Sequence, residues 1–218
     1  MSLSEQLAQR LEENRAQLPS EVTATMAQAT EDLANSGIVN RSLNRGDTLP
    51  AIALPNATGK IVDLQALLAK GPIVITFYRG GWCPYCNMEL RAYQQALPEI
   101  KSLGATLVAI TPETPDSSLS TTEKNELEFE VLSDRGNQIA RELGLVFTLP
   151  ESLRPIYENF GIDVPRHNGD QTFELPVPAT YVVNTDGTVV HAFVNADYTK
   201  REEPKTVVDV LRQLPVKA

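Results

Sequence analysis

The only two cysteines of this 218-residue chain, Cys83 and Cys86, lie in the segment GGWCPYC with two residues between them. Such a pair at the start of a helix suits redox chemistry, because the positive end of the helix dipole favours a thiolate over a thiol. A thiolate attacks disulfides and peroxides. A second thiol nearby can then capture the mixed disulfide or sulfenic acid formed on the first.

Two other interpretations of the pair carry less weight. A structural zinc site needs four ligands, and beyond the two cysteines the chain offers only His167 and His191 as comparable soft donors. We therefore expect no metal at this site. The remaining interpretation, two inert buried cysteines, stays open beside the redox one.

Charge and hydropathy narrow the class of protein further. Lys and Arg total 19 against 28 Asp and Glu, a net charge of −9, so we expect neither a nucleic-acid nor an anionic membrane partner. No apolar run reaches membrane-spanning length, and the N-terminal residues lack the apolar core of a signal peptide. These features predict a cytoplasmic protein, in a compartment where structural disulfides are rare.

The elements around the cysteines form a recognisable unit. The run PIVITFY, 72–78, is rich in β-branched and aromatic residues and predicts a buried strand. A helix over 84–103 and a second buried strand over 105–111 complete a βαβ unit with parallel strands. Cys83 then falls near the helix N-cap, Pro84 at the first helical position and Cys86 in the first turn.

Both ends of the chain carry further elements. Residues 1–39 predict a helical extension, in which Leu3, Leu7 and Leu11 form one stripe and Ser20 caps a second helix after a break at 18–21. This extension either packs on the main domain, 40–218, or forms a homodimerisation arm. Residues 177–194 predict a hairpin turning at Asp186–Gly187, followed by a helix over 204–214.

Several segments together resemble one known family. FYRGGWCPYC followed by NMEL resembles the active-site segment of the peroxiredoxins, the alkyl hydroperoxide reductase and thiol-specific antioxidant group. LSDRGNQIARELGL and VPATYVVNTDGTV are similar to later segments of that family, so the resemblance spans about 45–214. It implies an α/β thioredoxin fold, a mixed central sheet flanked by helices, here with an N-terminal helical extension.

The resemblance also assigns site residues. In the family pattern Pro-X-X-X-Thr-X-X-Cys, Arg79 stands at the proline, Cys83 at the threonine and Cys86 at the peroxidatic cysteine. Glu89 matches a glutamate often found three residues later. The family's second arginine would stand just before TYVV, where this chain has 177–179, Val-Pro-Ala. The threonine and the second arginine of the family pattern are thus missing. Arg79 either substitutes in part for them or is a solvated or ion-paired residue.

The segment WCPYC also resembles the active site of thioredoxins and glutaredoxins. In that comparison Pro178 matches the cis-proline loop that faces the cysteines, which predicts a cis bond at Val177–Pro178, the alternative being an ordinary trans proline. Trp82 and Tyr85 then either shape the surface around the pair or serve simple packing.

Two functions follow from these resemblances. The first is a thiol-dependent peroxide reductase that forms an intramolecular Cys83–Cys86 disulfide. The second is a thiol–disulfide oxidoreductase acting on protein or small disulfides. Both require a thioredoxin- or glutathione-type thiol reductant and no cofactor. Helix-start physics favours Cys83 as the nucleophile, because it predicts the lower pKa and more solvent access there, whereas the family alignment favours Cys86.

Overall fold

The structure is a computed structural model that describes residues 1–214. The helices are α1 Leu3–Gln17, α2 Ser20–Asn35, α3 Ile38–Arg41, α4 Leu64–Leu68, α5 Pro84–Ser102, α6 Pro115–Lys124, α7 Gln138–Glu142, α8 Arg154–Asn159, α9 Val164–Asn168 and α10 Pro204–Arg212, with a 3-10 turn at Glu151–Leu153. The strands are β1 Ala53–Pro55, β2 Ile61–Asp63, β3 Ile73–Phe77, β4 Thr106–Thr111, β5 Glu130–Ser133, β6 Val146–Thr148, β7 Glu174–Pro176, β8 Ala179–Val183 and β9 Val189–Val194.

A five-stranded mixed sheet with the order β5-β4-β3-β8-β9 forms the centre of the molecule. Strand β3 pairs parallel with β4 and antiparallel with β8. The predicted βαβ unit is therefore confirmed, as is the hairpin of β8 and β9. With helices on both faces, this sheet has the thioredoxin fold that the sequence predicts.

Both faces of the central strand β3 are buried, which explains its unbroken apolar run. Ile73, Ile75 and Phe77 point into one hydrophobic cluster, and Val74 points into a second one on the opposite face. The second cluster also contains both cysteines and the apolar side of α5. The thiol pair thus belongs to the core of the protein and not to its surface.

The N-terminal extension consists of two helices, as predicted, and packs on the main domain. Leu3 and Leu7 are buried in the same cluster as the cysteines, and α1 lies against α5. The prediction for Ser20 is wrong: Pro19 is the N-cap and Ser20 is the first residue of α2. The side-chain capping occurs instead at α1, where Ser2 and Glu5 form a reciprocal capping box.

Two further points concern the ends of the domain. The boundary between 1–39 and 40–218 stays a prediction, and residues 215–218 lie outside the described part of the chain. The last helix ends at Arg212, two residues before the predicted end. Within residues 1–214, none of the helices is long and apolar enough to cross a membrane.

The packing of α1 gives a first prediction. Leu7→Ala should lower the free energy of unfolding by about 2–5 kcal/mol, because Leu7 is only 3% exposed and its truncation leaves a cavity. Urea denaturation measures this loss. Leu119→Ala, at a side chain that is 38% exposed, is the matched control and should change stability by less than about 0.5 kcal/mol. Equal effects of the two substitutions would show that α1 is not docked.

Candidate active site

The glycine pair before the cysteines allows the chain to turn tightly from β3 into α5. A Cβ atom on Gly81 would lie 2.0 Å from the hydroxyl oxygen of Thr121, and one on Gly80 would lie 2.2 Å from the indole nitrogen of Trp82. The amide of Gly81 donates to the buried carboxylate of Glu113 at 2.9 Å. Larger residues would therefore displace the turn that carries the cysteines.

The helix position of the two cysteines agrees with the sequence prediction, but their surroundings do not. Cys83 is the N-cap of α5, Pro84 occupies the first helical position and Cys86 lies in the first turn. Both cysteines are nevertheless fully buried, so the expected solvent access of Cys83 is wrong. The Cys83 side chain also makes no capping hydrogen bond to the helix amides. The two cysteines are free thiols that approach within 2.9 Å.

Arg79 lies beside Cys83. Its Nη2 atom is 3.4 Å from the Cys83 sulfur, and its Nη1 atom donates to the hydroxyl of Tyr157 at 2.8 Å. The guanidinium carbon also lies 4.5 Å from the ring centroid of Tyr198 and 5.2 Å from that of Trp82. The interpretation of Arg79 as a solvated residue is therefore wrong, because it is only 4% exposed. Within the described chain it forms no salt bridge with a carboxylate and lies against the Cys83 sulfur instead.

A second arginine, Arg201, lies beside Cys86. It arrives from the segment between β9 and α10, and its Nη2 atom is 3.2 Å from the Cys86 sulfur. Its Nε atom donates to the buried carboxylate of Glu89 at 2.6 Å, and its Nη1 atom donates to the carbonyls of Tyr198 and Lys200. Glu89 also accepts a hydrogen bond from Thr76 at 3.0 Å. This arrangement fixes the guanidinium against the thiol.

These contacts separate the acidities of the two thiols. Burial opposes ionisation of Cys83, but the hydrogen bond from Cys86 and the charges of Arg79 and Arg201 outweigh it and hold the Cys83 pKa well below its ordinary value. Burial and the adjacent Cys83 raise the pKa of Cys86 well above its ordinary value, against the effect of Arg201. These contacts therefore favour the thiolate at Cys83 and the protonated thiol at Cys86.

Aromatic side chains cover the pair. Trp82 packs edge-on against Tyr157, with ring centroids 5.7 Å apart, and Tyr85 packs edge-on against Tyr198 at 5.5 Å. The Tyr85 hydroxyl accepts a hydrogen bond from Asn14 of α1 at 3.0 Å. Trp82 and Tyr85 thus build the wall around the site and connect it to the N-terminal extension.

Pro178 lies near this wall but does not have the expected geometry. The described chain contains no cis peptide bond, so the predicted cis bond at Val177–Pro178 is wrong and the bond is trans. Pro178 lines a small cavity together with Arg79 and Tyr198. Its carbonyl accepts the amide of Asn195, which joins the segment before β8 to the segment after β9.

Sequence reasoning missed Arg201, Tyr157, Tyr198 and Asn14. Arg201 stands in the charged run TKREEPK, and such a composition is typical of a solvated segment before a helix. Tyr157 lies in the segment between β6 and β7, where the sequence analysis predicts no helix or strand. Only the missing second arginine of the family pattern signals that another basic residue must reach the cysteines from elsewhere.

The fold and the paired buried thiols define a thioredoxin-fold thiol protein. A family model described as "AhpC/TSA family" matches residues 45–192, and the chain belongs to this family. The match excludes α1 to α3 as well as Tyr198 and Arg201.

Named relatives agree with this assignment. The chain is 31% identical over 124 residues to a chloroplastic peroxiredoxin Q of Populus jackii, and 28% identical over 162 residues to one of Triticum aestivum. These matches cover 55% and 74% of this chain but only 58% and 64% of the relatives, so the chain spans less than two thirds of their length. The crystal structure of peroxidoxin BcpB from Mycobacterium tuberculosis shares the fold at 21% identity with a TM-score of 0.63, covering 79% of this chain and 99% of that one.

The acidity difference between the two thiols gives a second prediction. The thiol that remains in Cys86→Ser should titrate at lower pH than the one that remains in Cys83→Ser. Arg79 beside Cys83 forms no salt bridge with a carboxylate in the described chain, whereas Arg201 beside Cys86 is paired with Glu89. Ultraviolet absorbance of the thiolate measures both pKa values. Adding Arg79→Gln to Cys86→Ser should raise the pKa of Cys83. The reverse order of the two single variants would refute the assignment.

The carboxyl of Glu89 gives a third prediction. Burial raises its pKa from 4.5 to about 7, despite the opposing effects of Arg201 and Thr76. Between these values the folded protein holds a proton that the unfolded chain releases, so stability should fall as pH rises from 4.5 to about 7. Thermal unfolding of the wild type and of Glu89→Gln across this window measures the effect. The variant should lack this contribution, and parallel curves would contradict the raised pKa.

Proposed function

We propose that this chain is a thiol-dependent peroxidase that cycles through an intramolecular Cys83–Cys86 disulfide. The observation that carries this proposal is a pair of buried free cysteines 2.9 Å apart, of which Cys83 lies 3.4 Å from a guanidinium that lowers its pKa. The thiolate is the species that attacks a peroxide, and the neighbouring thiol is close enough to resolve the product. Membership of the AhpC/TSA family supports the same chemistry.

Cys83 is the attacking sulfur in this proposal. Its thiolate lies against Arg79, which lines the large cavity of the molecule, whereas Cys86 lies against Arg201 and the buried Glu89. A peroxide that enters the cavity meets Arg79 in its wall, and the Cys83 sulfur lies 3.4 Å behind that guanidinium. The guanidinium also provides positive charge where the leaving oxygen becomes negative. The family alignment assigns attack to Cys86, so the two assignments give different outcomes for single variants.

The reaction balances with one proton from solvent. The Cys83 thiolate attacks one peroxide oxygen, the O–O bond breaks, and the alkoxide or hydroxide that leaves takes up the proton. Cys83 is now a sulfenic acid. The Cys86 sulfur attacks the Cys83 sulfur, the S–O bond breaks, and the hydroxide leaves as water with the Cys86 proton. The peroxide is reduced by two electrons, and the two thiols become a disulfide.

The alternative is a thiol–disulfide oxidoreductase. A lowered pKa at the first cysteine of a CPYC motif at a helix N-cap favours it. Burial argues against a protein substrate, because a disulfide on another protein must reach a sulfur that is fully enclosed by side chains. A peroxide is far smaller and fits the cavity, whose wall includes Arg79 beside Cys83. The assignment to a subgroup with a CPYC motif stays a prediction.

The setting of this activity follows from the chemistry. Each turnover consumes two thiols, so the protein must meet a thiol reductant in a reducing compartment, which we propose to be the cytoplasm. A homodimer is not required for the proposed reaction, because both sulfurs and both arginines belong to one chain.

Single cysteine variants test the proposal. Reduced wild-type protein mixed with hydrogen peroxide in a stopped-flow instrument should react far faster than a free thiol, and its intact mass should fall by two hydrogen atoms. Cys83→Ser should react only at the background rate. Cys86→Ser should react quickly but stop at a sulfenic acid, which dimedone traps on Cys83, because the resolving thiol is gone.

Three results would contradict the proposal in different ways. A wild-type rate no higher than that of a free thiol would exclude peroxidase chemistry. Fast insulin-disulfide reduction together with such a rate would support the oxidoreductase instead. Retention of fast peroxide reaction in Cys83→Ser, with its loss in Cys86→Ser, would assign the attack to Cys86.

A further inference from the structure

The N-terminal extension encloses a cavity of about 600 Å³ over the thiol site. Helices α1 and α2 form one wall, with Leu11 and Met26 among its apolar side chains. The opposite wall includes Arg79, Trp82 and Tyr198, the same side chains that surround Cys83. This volume far exceeds the need of hydrogen peroxide and lies within the range of small-molecule sites.

Three buried N–H groups of residues that line this cavity have no hydrogen-bond partner within residues 1–214. They are Nε of Arg10, Nε of Arg79 and Nε1 of Trp82. Buried donors are almost always paired in native proteins, so such a cluster calls for a ligand with acceptor oxygens. Of the two acidic side chains that line the cavity, Asp197 already accepts hydrogen bonds from Thr199, and Glu31 lies exposed on α2. A carboxylate is the acceptor that best suits two arginines.

The proposed disulfide changes the charge of this wall. In the reduced protein the Cys83 thiolate lies beside Arg79 and balances its charge. Formation of the disulfide removes that negative charge. The remaining hydrogen bond of the Arg79 guanidinium in the described chain goes to the neutral hydroxyl of Tyr157. The oxidised site therefore holds a buried cation without a counter-ion, which favours an anionic ligand.

We propose that this cavity binds the reductant of the disulfide, a small thiol that carries carboxylate groups, such as glutathione, and that it does so in the oxidised state. This inference rests on the proposed function. Both sulfurs are fully buried, and Arg79, which lines the cavity, lies 3.4 Å from the Cys83 sulfur. A small thiol in the cavity therefore comes closer to Cys83 than a cysteine on the surface of a redox protein can. Its carboxylates pair with Arg10 and the Trp82 N–H, and its thiolate approaches Arg79.

The reduction balances with two equivalents of the small thiol. The first loses its proton, its thiolate attacks the Cys83 sulfur, and the S–S bond breaks so that Cys86 leaves and takes up the proton. The second thiolate attacks the small-thiol sulfur of the mixed disulfide. Cys83 leaves as the thiolate, the small disulfide departs, and the second proton goes to solvent.

The test begins with the oxidised protein. One equivalent of hydrogen peroxide forms the disulfide, which intact mass confirms, and glutathione or 2-mercaptoethanol is then added in a stopped-flow instrument. Both rates of disulfide reduction are corrected for the thiolate fraction of the added thiol. The rate should saturate as the glutathione concentration rises. With 2-mercaptoethanol, which has no carboxylate, the rate should rise linearly with concentration. Arg10→Gln should lower the glutathione rate relative to the 2-mercaptoethanol rate by about tenfold, the loss of one charge-assisted hydrogen bond.

Two further measurements exclude a general effect of replacing an arginine and an effect of misfolding. Arg45→Gln, at an exposed arginine away from the cavity, is the matched control and should leave both rates unchanged. Calorimetry with S-methylglutathione, which has the carboxylates but no thiol, should show tighter binding to the oxidised wild type than to the reduced protein. This measurement needs no variant, so it decides the question even if Arg10→Gln is poorly folded.

The experiment distinguishes failure of this inference from failure of the proposed function. If hydrogen peroxide yields no disulfide, the proposed function is wrong and the inference falls with it. If the disulfide forms but both thiols reduce it linearly and at equal corrected rates, the inference alone is wrong. Equal binding of S-methylglutathione to both states, or faster reduction of the wild type by thioredoxin than by saturating glutathione, would also overturn it.

Discussion

Two sulfurs and two guanidinium groups lie buried together, and their charges must balance without help from water. Arg79 has no carboxylate partner in the described chain, so the Cys83 thiolate is its counter-ion. Burial and the neighbouring Cys83 keep the proton on Cys86, and Arg201 beside it has Glu89 as a partner. A buried charge is costly unless a neighbour compensates it. The lowered pKa of Cys83 therefore follows from the packing of the core rather than from the helix start alone.

This balance links parts of the chain that lie far apart in sequence. The turn after β3 provides Arg79 and the cysteines, and the segment between β6 and β7 provides Tyr157, which holds one end of the Arg79 guanidinium. Arg201 and Tyr198 come from the segment after β9. Of these, Arg201 and Tyr198 lie outside the region that the family model matches, as do the helices α1 and α2. The first three segments set the charge of the site, and α1 and α2 line the cavity beside it.

The sequence predicted what short-range rules determine. The β-branched run of β3 and the proline at the first position of α5 follow from local preferences, and they placed Cys83 at the N-cap correctly. The chemistry of the site depends on contacts over more than a hundred residues, such as Arg201 with Cys86. No local pattern separates Arg201 from the exposed charges beside it. The sequence therefore predicted the lower pKa of Cys83 for a reason, solvent access, that the burial of the thiol removes.

The central claim is that the reduced protein holds a thiolate at Cys83 and a thiol at Cys86. Nuclear magnetic resonance of the unmodified protein, labelled with carbon-13 at the cysteine Cβ atoms, reports the ionisation of each sulfur separately. At neutral pH we expect the Cys83 Cβ resonance at the thiolate position and the Cys86 resonance at the thiol position. A thiolate resonance at Cys86 with a thiol resonance at Cys83 would contradict the account.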